Sequence, residues 1–167
     1  MTEHPFPPLY NKDSKVLILG SFPSVKSREQ MFFYGHPQNR FWKVIASVFE
    51  CDVPETIEEK KKLLFENGVA LWDVIASCEI EGSADSSIKN VKVNDLSKIL
   101  NEADIKAIFI NGKTAEKYFK KYTKEKIQRD AICLPSTSPA NAAWSLAQLI
   151  EKWKVIQNTC IQNMEEK

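Results

Sequence analysis

Four short apolar runs, each of strand length and separated from the next by a helix-like pattern, limit what this chain can fold into more than any other feature. Lys15-Val16-Leu17-Ile18-Leu19-Gly20 is apolar without alternation and closes on glycine, the pattern of a strand covered on both faces. Val69 to Val74, Ile105 to Asn111 and Ala131 to Leu134 read the same way. Between them, Phe41, Val44, Ile45, Val48 and Phe49 recur at three- and four-residue spacing, which makes one helical stripe. Thr56 to Asn67 reads as a charged helix stopped by Asn67-Gly68, and Val93 to Ala103 and Gly112 to Tyr122 complete the alternation. This order predicts a three-layer α/β/α sandwich around a mainly parallel sheet of about four strands. The length of 167 residues suits a single domain, expected over residues 1–157, with residues 158–167 as a polar tail.

In parallel sheets ligands bind at the loops that leave the carboxyl ends of the strands. The rule groups Gly20-Ser21-Phe22-Pro23-Ser24, Asp73, Asn111-Gly112 and Pro135 to Asn141 on one rim. The first loop has two readings. Glycine and proline can turn successive backbone N–H groups toward a ligand, or the pentapeptide is a tight strand-to-helix turn with Phe22 packed as core. Phosphate-loop spacings are absent: Gly112-Lys113-Thr114 ends like one, but its first glycine would be Ala107, inside an apolar strand.

Gly35-His36-Pro37-Gln38-Asn39-Arg40-Phe41-Trp42 places Asn39 where a helix N-cap is expected, and capping alone would account for it. The neighbouring Tyr34, His36, Gln38 and Arg40 make the helix start unusually polar. The Asn39 amide is no base, yet its carbonyl oxygen can orient a water molecule, which suffices for an electrophile that is already nearly a cation. His36 reads as a hydrogen-bonding or phosphate-contacting residue. In the last loop Ser138 reads as an N-cap with Pro139 at the first helical position. The helix expected there carries Ala142, Leu146, Leu149, Ile150 and Trp153 on one stripe. Trp144 falls opposite that stripe, either under the Pro-rich arm around His4 to Tyr10 or at a ligand.

Composition bears on the alternatives. A net charge of +1 is neutral toward nucleic acid, since a basic groove can coexist with an acidic back face. Cys51, Cys78, Cys133 and Cys160 form no Cys-x-x-Cys pair, and the two histidines, His4 and His36, lack ligand-spaced partners, so no metal and no cofactor is expected. No apolar run approaches the roughly 20 residues that span a bilayer, and the N-terminus lacks a signal-peptide pattern. A cytoplasmic protein without a membrane partner is expected. Without Gly-x-Ser-x-Gly, a serine esterase built on Ser21 and His36 ranks low.

Taken in order, the arm His4-Pro5-Phe6-Pro7-Pro8, Val16 to Ser27, Tyr34 to Trp42, Leu71-Trp72-Asp73-Val74, Asn111-Gly112-Lys113 and Leu134 to Asn141 resemble the uracil-DNA glycosylase superfamily, in particular its hypoxanthine-DNA glycosylase (DNA-deoxyinosine glycosylase) branch. The resemblance spans most of the chain and is most specific at Gly35 to Trp42. It implies a monofunctional glycosylase that acts on damaged DNA, flips a deaminated base out of the duplex and hydrolyses its N-glycosidic bond in base excision repair; separately, a monomer is expected. Phe22 stands where better-known members carry a catalytic Asp or Asn, and the branch implies that Asn39 takes over the task of holding the attacking water. Gly20, Ser21, Phe22, Pro23, Ser24, Phe33, Tyr34, Asp73 and Asn111 would surround the base. His36, Arg40, Ser136, Thr137, Ser138, Pro139, Ala140 and Asn141 would contact DNA, with Lys26 and Arg28 adding backbone affinity. Hypoxanthine is the favoured base. The rivals are uracil or xanthine excision by the same fold, and a nucleic-acid-binding module without catalysis, which Phe22 keeps open.

Overall fold

The computed structural model describes the backbone of residues 1–165 and the side chains of residues 1–160. Its elements in chain order are β1 (Thr2–Glu3), β2 (Val16–Gly20), α1 (Val25–Gln30), α2 (Phe41–Val48), α3 (Ile57–Glu66), β3 (Val69–Asp73), β4 (Ile75–Glu79), β5 (Lys89–Val93), α4 (Ser97–Glu102), β6 (Ala107–Asn111), α5 (Lys113–Tyr118), α6 (Lys124–Ile127), β7 (Ile132–Leu134), α7 (Leu146–Trp153) and α8 (Val155–Glu165). The four apolar runs are four parallel strands in the order β3-β2-β6-β7. Val16, Leu17, Ile18 and Leu19 are fully buried, as a strand with helices on both faces must be.

The register builds the site. Gly20 pairs with Asp73 and Leu19 with Ile110, while Asn111 pairs with Leu134, so all four carboxyl ends finish at one level. The chain leaves β2 toward one edge of the sheet, to β3, and leaves β6 toward the other edge, to β7. The loops after β2 and β6, which are neighbours, therefore diverge, and the crevice between them is the topological switch point where such sheets bind ligands. Phe41 at the start of α2 packs edge-on against Trp153 of α7, with ring centroids 5.9 Å apart. The Trp153 indole N–H donates to the Pro135 carbonyl at 2.9 Å, which ties the last helix to the last loop.

Several local expectations are corrected. A second, antiparallel sheet, β1-β4-β5, was not anticipated: the chain leaves the parallel sheet at Val74 and reverses between β4 and β5. Val93 therefore ends a strand, and the helix expected from it begins at Ser97. Ser138-Pro139 does not start a helix. That helix begins at Leu146, where Ser145 and Gln148 form a reciprocal capping box. The N-cap of α2 is Arg40, although the Asn39 side chain still accepts the Phe41 N–H, two residues ahead, at 2.9 Å. Of the tail expected over residues 158–167, residues 158–165 continue α8, with Cys160 4% exposed and packed into the core, and residues 166–167 lie outside the described residues.

Candidate functional site

A cavity of about 820 Å³ opens at the carboxyl ends of the parallel strands, within the size range of small-molecule sites. Every residue expected around the base lines it: Gly20, Ser21, Phe22, Pro23, Ser24, Phe33, Tyr34, Asp73 and Asn111. Asn39, His36 and the loop from Ser136 to Asn141 line it as well. Arg40 does not.

The floor is formed by Asp73, whose Oδ2 lies 2.7 Å from His4 Nε2, with the two side chains only 6% and 3% exposed. His4 arrives on the N-terminal arm, which pairs with the edge of β3 through Leu9 and Leu71 and packs the His4 ring 4.4 Å from Trp72. The other carboxylate oxygen of Asp73 faces Gly20. A Cβ on Gly20 would stand 2.5 Å from Asp73 Oδ1 and 3.0 Å from the Tyr34 hydroxyl, so the close approach of strand to carboxylate requires glycine. Tyr34 adopts φ 53°, rare for an aromatic residue, and is held there by stacking on Phe41 at 4.0 Å. Burial, reinforced by the Asp73 charge, pushes the Tyr34 phenol far above its ordinary range and keeps it neutral.

The wall is a chain of hydrogen bonds. The Thr137 N–H donates to Asn111 Oδ1 at 3.0 Å, and Asn111 Nδ2 donates to the Thr137 hydroxyl at 3.0 Å. That hydroxyl in turn donates to Asn39 Oδ1 at 2.8 Å. Together with the Phe41 N–H, Asn39 Oδ1 thus has two donors, and the carbonyl oxygen expected to hold a water is already occupied.

Arg40, expected at DNA phosphates, is corrected to an internal role. Its guanidinium donates to the carbonyls of Ser138 and Asn141, each at 3.0 Å, and to that of Trp144, clamping the last loop in a non-helical path. Arg28 is also engaged internally, reaching the Gly82 carbonyl at 2.6 Å and lying 5.6 Å over the Phe22 ring. Lys26 is solvent-exposed beside Glu29 at 3.4 Å. His36 sits at the cavity edge with Nδ1 accepting from the Gln38 N–H at 3.1 Å. Trp144 is on the cavity rim, while the Pro-rich arm packs on Phe33 and Trp72.

Sequence reasoning did not place His4 at the site, nor Ser83 and Asp85, which line the cavity from the loop between β4 and β5. That loop docks on α1, where Ser83 accepts the Val25 N–H at 2.9 Å, a contact with no local signal. Cys133 lines the cavity, and burial lifts its thiol to about 11. Among the described residues no three His, Cys, Asp or Glu side chains converge as metal ligands would. None of the described helices is long and apolar enough to cross a membrane.

A parallel sheet whose switch-point crevice opens into a cavity lined by both polar and apolar side chains defines a small α/β domain with a ligand-sized site. Comparison with known proteins gives the family. The family model of the uracil DNA glycosylase superfamily matches residues 7–159. A hypoxanthine DNA glycosylase from Methanosarcina acetivorans is 33% identical over 151 residues, covering 87% of this chain and 92% of the relative. One from Methanosarcina barkeri is 32% identical over 120 residues, 71% of this chain and 76% of the relative. The solution NMR structure of a candidate uracil DNA glycosylase from Methanosarcina acetivorans superposes with a TM-score of 0.75 at 29% identity, covering 91% of this chain and 96% of that one. The chain belongs to the uracil DNA glycosylase superfamily.

Proposed function

We propose that hypoxanthine is the base this DNA glycosylase removes from deaminated DNA. The observation that carries the reading is that one cavity is lined by both Phe22, which the family resemblance sets at the usual catalytic carboxylate or amide, and Asn39, which it makes the substitute. The relatives named as hypoxanthine DNA glycosylases support the choice of base. A flipped hypoxanthine would lie between Phe22 and Tyr34, over Asp73. The Asp73 carboxylate only accepts, so it pairs with the N1–H that hypoxanthine has and repels the N1 lone pair of adenine. Unstacking costs a few kcal/mol, least for a mispaired base, and this adds to the selection of damage.

In the reaction the bond from C1′ to N9 breaks and its electron pair leaves with the base. Water oxygen then bonds to the oxocarbenium-like C1′ and loses a proton, and the departing base takes one up. Backbone N–H groups of the Ser21 to Ser24 turn and the Asn39 amide are the groups that face the developing charges. Ser136, Ser138, Pro139, Ala140, Asn141 and His36, on the rim, contact the DNA strand on either side of the flipped nucleotide, whereas Thr137, also expected at DNA, is fully buried and bonded to Asn111 and Asn39. The reading carries with it one domain acting as a monomer in the cytoplasm. Duplex oligonucleotides bearing hypoxanthine, uracil or xanthine, incubated with the protein and treated with alkali, test it. Hypoxanthine strands should break fastest. No breakage of any lesion, or faster breakage at uracil, refutes it.

A further inference from the structure

We infer that Asn39 acts as a hydrogen-bond donor to the departing base, its Nδ2 turned into the cavity by Thr137, and is not the acceptor that holds the attacking water. The inference rests on the glycosylase reading above. It begins with an assignment fixed by chemistry. A backbone N–H can only donate, so the Asn39 atom 2.9 Å from the Phe41 nitrogen is its oxygen. The same logic fixes Asn111 at the far end, where Oδ1 takes the Thr137 N–H at 3.0 Å. Between these two anchored amides lies one hydroxyl. Thr137 Oγ1 accepts from Asn111 Nδ2 at 3.0 Å, so its single proton goes to Asn39 Oδ1 at 2.8 Å. The chain starts on the Thr137 N–H and ends on Asn39 Oδ1, where the Thr137 hydroxyl and the Phe41 N–H converge.

Thr137 is 0% exposed, so water does not compete for its hydroxyl. Both in-plane lone pairs of Asn39 Oδ1 are therefore engaged before a substrate arrives. Asn39 Nδ2 makes no hydrogen bond to any of the described residues, while Asn39 lines the cavity. What the residue offers a flipped nucleotide is a pair of N–H groups. A water could only accept from them, which would lower its nucleophilicity. A purine, by contrast, gathers negative charge on its ring nitrogens and carbonyl oxygen as the C1′–N9 electron pair moves onto it. A fixed donor aimed at that charge stabilises the transition state, and removing one such donor costs about 10²–10³ in rate. Thr137 is the positioning residue: it touches no reacting atom, and it holds Asn39 Oδ1 away from the cavity.

Asn39→Asp distinguishes the two roles, because it keeps an oxygen for Phe41 and Thr137 and deletes the N–H pair. Single-turnover excision of hypoxanthine is measured at saturating enzyme, so that weaker DNA binding does not enter the rate. The donor role predicts a fall of about 100-fold or more, matching Asn39→Ala. A rate near or above wild type overturns it, since a carboxylate holds water better than an amide does. Thr137→Val should lose about tenfold, roughly one hydrogen bond, while Thr137→Ser returns to within about threefold of wild type. A wild-type rate in Thr137→Val, or equal losses in the valine and serine variants, overturns the positioning role. If Asn39→Asp does not fold, the side-chain amide resonances of wild-type Asn39 are followed by NMR during titration with free hypoxanthine. They shift if Nδ2 donates, and an unchanged pair overturns the inference. A wild type that excises nothing while binding free hypoxanthine with that shift refutes the glycosylase reading instead.

Discussion

His4→Ala should destabilise the protein by an amount the site geometry defines. His4 and Asp73 meet at 2.7 Å with side chains 3% and 6% exposed, and among the described residues Asp73 Oδ2 has no other side-chain hydrogen bond. Deleting one member of such a buried pair costs about 3–5 kcal/mol, because the remaining charge keeps its desolvation and loses its partner. Asp73 borders the cavity, so water can enter the space left by the imidazole, which favours the lower end, about 3 kcal/mol. For a chain of this size each kcal/mol moves the melting temperature by about 2–4 °C, giving a fall of about 6–12 °C. Thermal unfolding at pH 7 of wild type, His4→Ala, Asp73→Asn and the double variant measures it. Asn is neutral, so the double variant should recover at least about 1.5 kcal/mol relative to the sum of the single changes. A fall below about 2 °C in His4→Ala, or strict additivity, refutes the reasoning that this pair holds the arm to the pocket floor.

Three further outcomes are expected. Gly20→Ala, which drives a methyl to 2.5 Å from Asp73 Oδ1, should lower hypoxanthine excision by about 100-fold with KM and kcat both affected, since a misplacement of this order in a site costs about that much; wild-type kinetics would show that strand and carboxylate can separate freely. Arg40→Ala should lower the melting temperature but leave the slope of log affinity for DNA against log salt unchanged, because its guanidinium is on loop carbonyls; a slope reduced by about 0.9 would instead mark a lost phosphate contact. Alkylation by iodoacetamide at pH 8, read by mass spectrometry, should modify exposed Cys51 first and leave Cys133 largely intact, since burial lifts the Cys133 thiol to about 11 and only the thiolate reacts; the Cys133 rate should then climb as pH rises toward 11, and fast labelling at pH 7 would contradict it.

What the sequence determined by itself was periodic and local. Val16 to Leu19, apolar at every position, demanded a strand covered on both faces, and the helical stripe from Phe41 demanded a neighbour such as α7; from these the parallel sheet and its ligand-bearing rim follow. The residues of that rim could be named because they end the strands. The start of α7 was misread because Ser138-Pro139 carries a genuine initiation signal, and what cancels it is Arg40, distant in the chain, holding the Ser138, Asn141 and Trp144 carbonyls. The reversal into the second sheet was invisible because β3 and β4 join into one apolar stretch, and only pairing with β1 and β5 splits it at Val74. The tertiary structure alone decided what the Asn39 amide oxygen accepts, what lies against Asp73, and which carbonyls hold the Arg40 guanidinium. Asn39 meets Thr137, and Asp73 meets His4, across 98 and 69 residues of chain. A hydrogen-bond direction is set by the partner, and no periodicity in a sequence records a partner that far away.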